Sequence, residues 1–260
     1  MTGPRVTFLS FAAITIAVSD LEAAVAAWRD QLGWSPGAVS AGRAAFPLDG
    51  AVIELVPAAA GQPPGVAAVA VTVDDPVPAA GVIRSGGVHA DLTADGAVVL
   101  PGRELNGVAL SLRRPAAALP RTSPGPFTRI NHVVVAVDDD DAAQRTWTRA
   151  FGAWPAHSVG GREHAHHVPV GAAWFGLTAA GTDGGALRRF LDRRGEGVYA
   201  LGLIAGDQGR TLDRLRRNGA RLIAGAGQTF IHPASTHGVL IEVMAEWRTA
   251  APPARLPAGS

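Results

Sequence analysis

The chain has 260 residues, of which 47% are hydrophobic, and a formal net charge of +1 at pH 7. This length is enough for one large or two ordinary hydrophobic cores. The charge is balanced and there is no long basic run, so nothing in the charge pattern indicates nucleic-acid binding. Cysteine is absent and every basic residue is arginine, which excludes disulfides, thiolate metal ligands, a thiol nucleophile and lysine-based catalysis. A metal site would have to use histidine, carboxylate or backbone oxygen.

The N-terminal stretch MTGPRVTFLSFAAITIAVSD has the form of a weak export signal, because a single arginine precedes an apolar run. The same pattern recurs in mid-chain as INHVVVAVDD at residues 130–139, where no signal can lie. We therefore interpret both stretches as β-strands. No apolar run reaches the roughly 20 residues that span a bilayer, so we expect a cytoplasmic protein without a membrane partner.

A helix is predicted after each of these two strands. Asp20 and Asp139 stand where the N-cap belongs, and Trp28 and Trp147 fall on the buried stripe of the helix that follows. The acidic run from Asp138 to Asp141 could hold a metal ion, but carboxylates at a helix start also complement the helix dipole. We favour this structural interpretation of the acidic run.

The two strand-helix stretches are copies of one another. AITIAVSDLEAAVAAWRDQLGWSP and HVVVAVDDDDAAQRTWTRAFGAWP align without a gap and place Trp28 on Trp147 and Gly33 on Gly152. GVALSL at 107–112 likewise corresponds to GVLIEV near the end of the chain. This internal duplication predicts two homologous halves. The predicted division is a first half, a Pro-rich linker, a second half and a tail, at residues 1–113, 114–128, 129–248 and 249–260.

Each half is predicted to contain two strand-helix-strand-strand-strand units, with shorter helices near 76–84 and 207–218. Side chains alternate between the two faces of a strand. In HVVVAV, three valines form a bulky face while the opposite face is smaller, and the other central strands follow the same rule. Small or polar residues on one face of successive strands leave space for a ligand. We predict an α+β fold with four β-α-β-β-β modules that form two cup-shaped mixed sheets.

Three titratable side chains fall within these apolar strands. His132, Glu54 and Glu242 each lie on the face opposite the aliphatic residues of their strand. Such a group is costly to bury unless it is paired, protonated or bound to a metal ion. Their position on the predicted cup face is the first indication of a functional site.

Over almost its whole length, the chain resembles the vicinal oxygen chelate superfamily of glyoxalases, bleomycin-resistance proteins and extradiol dioxygenases. The second half is also locally similar to methylmalonyl-CoA epimerase, through FLDRRGEGVYALGL, LDRLRRNGARLI and FIHPASTHGVLIEV. Members of the superfamily are built from β-α-β-β-β units, and those with a metal hold it at the cup floor. The resemblance implies this fold and a small-molecule site in the second half.

The metal-ligand pattern of the family carries over only in part. His132 matches its first-strand histidine and Glu242 its last-strand glutamate, whereas Gly176 and Ala200 occupy the other two positions. In the first half only Glu54 matches, and we expect it to contact substrate; the alternative is that it caps a loop or pairs with an arginine. The resemblance therefore implies His132 and Glu242 as catalytic residues and metal ligands, with a first half that holds no metal.

A third group could complete the ligand set. The epimerase pattern places His167 of REHAHHVPVG and His232 of FIHP on inward positions. The same histidine-rich stretch also contains His164 and His166. His167 with His132 and Glu242 would form a two-histidine, one-carboxylate site suited to Fe(II), Mn(II), Co(II) or Zn(II). We expect His167 to be catalytic and His232 to contact substrate.

Two functions remain open. In the first, a divalent metal chelates two neighbouring oxygens of a substrate in an isomerase, lyase or oxygenase reaction. In the second, a metal-free cup binds or sequesters a drug-like molecule, with Trp174 and Tyr199 lining a pocket for a flat ligand. We favour the enzyme. In either case the partner is a small molecule, and the protein is a monomer or homodimer.

Overall fold

The computed structural model describes residues 6–117, 125–152, 156–157, 165–181, 185–225 and 227–246. Residues 118–124 of the predicted linker and the whole predicted tail fall outside them, as does His164. The described part of the first half contains β1 (Phe8–Val18), α1 (Leu21–Asp30), β2 (Ala38–Ser40), β3 (Arg43–Pro47), β4 (Val52–Pro57), β5 (Gly65–Val73), α2 (Pro76–Ser85), β6 (Asp91–Leu92), β7 (Val98–Leu100) and β8 (Leu110–Arg113).

The elements of the second half are β9 (Phe127–Val137), α3 (Asp140–Phe151), β10 (Ala156–His157), β11 (Ala165–Val170), β12 (Ala173–Ala179), α4 (Ala186–Arg194), β13 (Gly197–Ala205), α5 (Gln208–Arg217), β14 (Leu222–Gly225), β15 (Gln228–Ile231), α6 (Pro233–Thr236) and β16 (Leu240–Met244). The second half thus repeats the order of the first, adds the helix α4, and has a short α-helix, α6, where the first half has the 3-10 helix Gly102–Glu104. The helices α4 and α6 were not predicted. In the described residues, no helix is long and apolar enough to cross a membrane.

The strands form one mixed sheet in each half, with the same topology in both. The orders are β2-β3-β4-β1-β5-β8-β7-β6 and β10-β11-β12-β9-β13-β16-β15-β14. Each sheet therefore joins two β-α-β-β-β modules through the antiparallel pairing of their first strands, β1 with β5 and β9 with β13. The predicted fold of four modules and two cup-shaped sheets is confirmed.

The helix starts follow the predicted capping. The side chains of Asp20 and Asp139 accept hydrogen bonds from the backbone N–H groups of Ala23 and Ala142, at 3.0 and 2.8 Å. These contacts satisfy backbone donors that the first turn of a helix would otherwise leave without a partner. Asp139 thus has the structural role that we favoured for the start of the acidic run.

The bulky faces of the central strands pack under the helices. Ile14, Val133 and Val135 are fully buried there, as are Trp28 and Trp147 from α1 and α3. The buried residues of both halves form one continuous hydrophobic cluster. The two halves are thus packed together through their helix-covered faces, and the smaller strand faces remain for the cups.

The contact between the halves has approximate twofold symmetry. Trp28 Nε1 donates to the backbone oxygen of Thr236 at 3.3 Å, and Trp147 Nε1 donates to Asn106 Oδ1 at 3.0 Å. Each indole of one half thus bonds to the segment just before the last strand of the other half. Because the two tryptophans are equivalent in the duplication, this symmetry is a direct consequence of the repeat.

Candidate functional site

One row of residues crosses the sheet of the second half and contains both predicted catalytic groups. His132 of β9 pairs laterally with Trp174 of β12 and with Gly202 of β13, and Gly202 pairs in turn with Glu242 of β16. Phe230 of β15 pairs with Glu242 on the far side. Directly paired residues project to the same face of a sheet. We call the face that carries His132, Gly202 and Glu242 the C-terminal cup.

Gly202 is what allows the imidazole and the carboxylate to approach each other. His132 Nε2 lies 3.6 Å from Glu242 Oε2, and the two side chains are only 14% and 10% exposed. A Cβ atom at position 202 would lie 2.4 Å from Cε1 and 2.5 Å from Nδ1 of His132. The histidine ring therefore occupies the space over the glycine backbone. The alternation of residues in YALGLI places Gly202 on the smaller face of its strand, but its contact with His132 was not predicted, although a glycine inside an apolar strand is a signal of close approach.

His167 lies on the same face, one row further along the sheet. It pairs with Gly176, and a Cβ atom at position 176 would lie 3.1 Å from His167 Cδ2. The ring centroids of His132 and His167 are 6.4 Å apart. Gly176, which replaces a metal ligand of the family pattern, has no side chain and so leaves room for the imidazole of His167. His167 therefore lies in the C-terminal cup with His132 and Glu242.

The environment keeps the imidazole of His132 neutral at pH 7. Burial, with a smaller contribution from the positive charge of protonated His167, lowers the pKa of His132 from 6.5 to about 4. The His132 side chain is only 14% exposed, so the cost of removing a charged ring from water dominates. Burial and the charge of His166 also lower the pKa of His167.

We expect His132 to destabilise the protein as the pH falls from about 6.5 to about 4. The unfolded chain takes up a proton on this imidazole near pH 6.5, whereas the folded chain does so only near pH 4, so acid favours the unfolded state in this window. The full effect is on the order of 3 kcal/mol. Urea unfolding across this range should show that His132→Gln loses less stability than the wild type. The exposed His89 serves as the control through His89→Gln, and equal acid dependence of wild type and His132→Gln would contradict the expectation.

The donor set fits a catalytic metal ion only in part. A neutral imidazole nitrogen and a carboxylate oxygen 3.6 Å apart are suitable ligand types, but catalytic sites usually have three protein ligands. Gly176 and Ala200 provide none, and among the described residues no third His, Asp or Glu has its ligand atom within 4.8 Å of both. His132 and Glu242 thus fall one ligand short of the usual set.

A separate cluster of potential ligands lies outside the C-terminal cup. Asp140, Asp141 and His166 have ligand atoms within 4.8 Å of one another, with His166 Nε2 3.3 Å from Asp141 Oδ1. His166 precedes His167 in β11 and therefore projects to the opposite face of the sheet, where α3 begins. Within the part of the chain that the structure describes, this is the only group of three such residues.

Trp174 and Tyr199, the two aromatic residues predicted to contact a ligand, lie in the same strands as Gly176 and Ala200, which replace two metal ligands of the family pattern. Trp174 is the lateral neighbour of His132 and is partly exposed. Tyr199 lies in a β-bulge, because the register of β13 on β9 shifts between Val198 and Ala200. The Tyr199 ring packs edge-on against Phe190 of α4, with centroids 5.3 Å apart. Helix α4, which was not predicted, thus supports Tyr199.

The structure does not bring Glu54 and His232 to the pair formed by His132 and Glu242. Glu54 lies in the sheet of the first half, where Oε1 accepts from Arg43 Nη1 at 3.0 Å. His232 precedes α6, and its Nδ1 accepts from the backbone N–H of Ala234 at 3.0 Å. Glu54 thus forms an ion pair with Arg43 in the sheet of the first half, and His232 caps the helix α6. A pairing of Glu54 with an arginine was the structural alternative to a substrate contact, whereas the cap formed by His232, a local bond to the residue two positions further on, was not predicted.

Residues 129–243 match the model of the Glyoxalase/Bleomycin resistance protein/Dioxygenase superfamily. The matched residues all lie within the second half of the chain. The match covers the strands that carry His132, His167 and Glu242, and it confirms the resemblance to the superfamily. A search of curated proteins found no relative, and the local likeness to methylmalonyl-CoA epimerase is not supported.

Two solved structures are similar to the chain over most of its length. One is a xylose isomerase-like TIM barrel/4-hydroxyphenylpyruvate dioxygenase fusion protein, with 15% identity, a TM-score of 0.69 and coverage of 96% of this chain and 51% of that chain. The other is a triple mutant of 4-hydroxymandelate synthase from Streptomyces coelicolor, with 17% identity, a TM-score of 0.69 and coverage of 90% and 91%. At this identity the similarity shows the fold alone. The chain spans about half the length of the fusion protein.

Proposed function

We propose that this chain is an enzyme of the vicinal oxygen chelate type that acts on a small oxygen-bearing organic molecule in the C-terminal cup. The observation that carries the proposal is the convergence of His132 and Glu242. Their Nε2 and Oε2 atoms are 3.6 Å apart on one row of a buried sheet face. Two ionisable side chains buried together in a cup are typical of a reaction centre rather than of a packing core. The superfamily match of this half also favours an enzyme.

The chemistry proposed for this pair is proton transfer at a carbon beside an oxygen, as isomerases and lyases require. The neutral His132 imidazole can accept a proton on one nitrogen. An ionised Glu242 would stabilise the imidazolium that forms, because an opposite charge at this distance favours the protonated ring. His167, 6.4 Å from His132 between ring centroids, is close enough to return a proton to the other side of a bound molecule.

The proposed substrate class is a flat organic acid with two neighbouring oxygens. Trp174 flanks His132 on the row, so aromatic surface adjoins the pair of His132 and Glu242. Tyr199 lies three residues before Gly202, in the bulge before Ala200, and packs on Phe190. The bare backbone at Gly202 and Gly176 makes room for the rings of His132 and His167, which therefore lie flat against the sheet beside Glu242. Since two solved structures of similar fold are named for 4-hydroxyphenylpyruvate and 4-hydroxymandelate chemistry, aromatic 2-oxo and 2-hydroxy acids are the first compounds to test.

The test is a turnover and binding screen of such acids, beginning with 4-hydroxyphenylpyruvate, with product detection by chromatography and mass spectrometry. We expect His132→Ala and Glu242→Gln each to reduce turnover about 100-fold to 10,000-fold, the range that a general acid or base contributes. Glu246→Gln is the matched control, because Glu246 is exposed and pairs with Arg129. Full activity in either cup variant would contradict the proposal.

A metal-free binding protein is the second candidate, favoured by the loss of side-chain ligands at Gly176 and Ala200. The same screen separates the two functions. A binder would retain an aromatic compound, measured by calorimetry, without turning it over. Metal analysis of protein purified without chelator belongs to the same experiment: stoichiometric divalent metal that both His132→Ala and Glu242→Gln lose would identify the pair as metal ligands.

A further inference from the structure

A β-bulge brings a second polar side chain to His132. On β13, Gly202 pairs with His132 while the next residue, Leu203, pairs with Ile130, so Asn131 is an extra residue in β9. A bulge of this kind re-aims the side chain of the extra residue. As a result, Asn131 and His132, although adjacent in a strand, are joined by a hydrogen bond in which His132 Nδ1 lies 2.9 Å from Asn131 Oδ1.

This contact determines which nitrogen of His132 carries the proton. A neutral imidazole has one N–H group, and an amide oxygen can only accept, so Nδ1 is the donor. Nε2 is then left with a lone pair. Its distance of 3.6 Å from Glu242 Oε2 is longer than a hydrogen bond, which agrees with an Nε2 that carries no proton. In water, the neutral histidine side chain prefers the opposite tautomer, so this one must be imposed by the protein.

The first half contains the same bulge without the polar pair. There the register of β1 on β5 shifts between Phe11 and Ala13, which makes Ala12 the extra residue. The duplication places Ala12 and Ala13 at the positions of Asn131 and His132. The bulge is therefore a feature of the repeated fold, while the asparagine and histidine occur together only in the half that carries the catalytic pair.

We propose that Asn131 is a positioning residue that holds His132 in the Nδ1–H tautomer and so directs the Nε2 lone pair toward Glu242 and the centre of the C-terminal cup. Asn131 acts through His132 and does not itself react. This proposal deepens the proposed function and rests on it for its catalytic meaning. The tautomer itself can be measured without any substrate.

The experiment is long-range 1H–15N NMR of the histidine side chains in the full-length chain at neutral pH. The chain has eight histidines, and the signals that disappear in His132→Gln identify His132. In the wild type we expect a protonated-type shift for Nδ1 and an unprotonated-type shift for Nε2. Asn131→Leu should move His132 toward the Nε2–H tautomer, whereas Asn131→Asp, which keeps an acceptor oxygen, should preserve the wild-type pattern.

An Nε2–H tautomer of His132 in the wild type would overturn the proposal, and this measurement needs no variant to fold. An unchanged tautomer in a folded Asn131→Leu, with the other histidine signals intact, would also overturn it. If a substrate is found, Asn131→Leu should lower kcat more than it changes KM, and Asn131→Asp should restore part of the loss. If the wild type has the expected tautomer but turns over no compound, the proposed function fails while the role of Asn131 in setting the tautomer stands.

Discussion

Replacing Gly202 with alanine is expected to separate His132 from Glu242 and to reduce turnover about 100-fold or more. The added Cβ atom would lie 2.4 Å from Cε1 of His132, 2.5 Å from its Nδ1 and 2.9 Å from Met244 Sδ. Real Cβ atoms do not tolerate such distances, so the imidazole must leave its position over the strand. A displacement of about 1 Å in a catalytic group is enough for a loss of this size.

The measurement combines turnover with the NMR signals of His132. In Gly202→Ala we expect both turnover and the His132 shifts to change, while the chain stays folded because only side chains must move. Gly206→Ala is the matched control: it lies just after the same strand, and its added Cβ would meet only Thr128 Cγ2, at 3.5 Å, an ordinary contact. Wild-type turnover and unchanged His132 shifts in Gly202→Ala would show that the glycine does not create the space for this ring.

Gly107→Ala is expected to lower the free energy of unfolding strongly, because the added methyl group would collide with the backbone of the other half. Gly107 has a φ of +78°, and its added Cβ would lie 2.0 Å from the backbone oxygen of Glu196 in the other half. A left-handed conformation costs an alanine about 1–2 kcal/mol, and forcing atoms into a packed contact costs a further 1–3 kcal/mol. The backbone of Glu196 cannot rotate away from the added methyl group as a side chain could, so the two halves must shift relative to each other.

Urea unfolding followed by circular dichroism measures the loss. We expect the free energy of unfolding to fall by roughly 3 kcal/mol or more in Gly107→Ala. Gly96→Ala is the control, since Gly96 has a φ of +80° but no atom within 4 Å of the added Cβ, and it should lose only the roughly 1–2 kcal/mol of the left-handed conformation. Equal losses in the two variants would mean that the contact with Glu196 adds nothing to stability.

The duplication gives Gly107 a counterpart in the second half. Gly238 occupies the equivalent place in GVLIEV, has a φ of +118°, and its added Cβ would lie 2.9 Å from the backbone carbon of Pro64. Both glycines precede the last strand of their half. Gly107 lies against Glu196, just before β13, and Gly238 lies against Pro64, just before β5. A substitution at Gly238 should therefore destabilise the same contact between the halves from the opposite side.

The pattern of residues along the chain was sufficient to predict the β-α-β-β-β modules and the two sheets, although not the helices α4 and α6. The gapless repeat around Trp28 and Trp147 predicted two halves, and the alternation of bulky and small residues assigned a core face and a cup face to each central strand. These properties are local, since side chains one or two positions apart have a defined relation in any strand or helix. For the same reason the sequence identified His132 and Glu242 as polar groups on a cup face.

Only the tertiary structure decided which residues meet across the sheet. The register of β13 between β9 and β16 places Gly202 between His132 and Glu242, and the bulge at Asn131 sets the hydrogen bond to the imidazole. Register and bulges depend on pairing between strands up to about 80 residues apart, which a pattern along one strand does not contain. Glu54 illustrates the reverse case, because Arg43 on the neighbouring strand β3 pairs with it away from His132 and Glu242, whereas the helix cap formed by His232 is a local contact with Ala234.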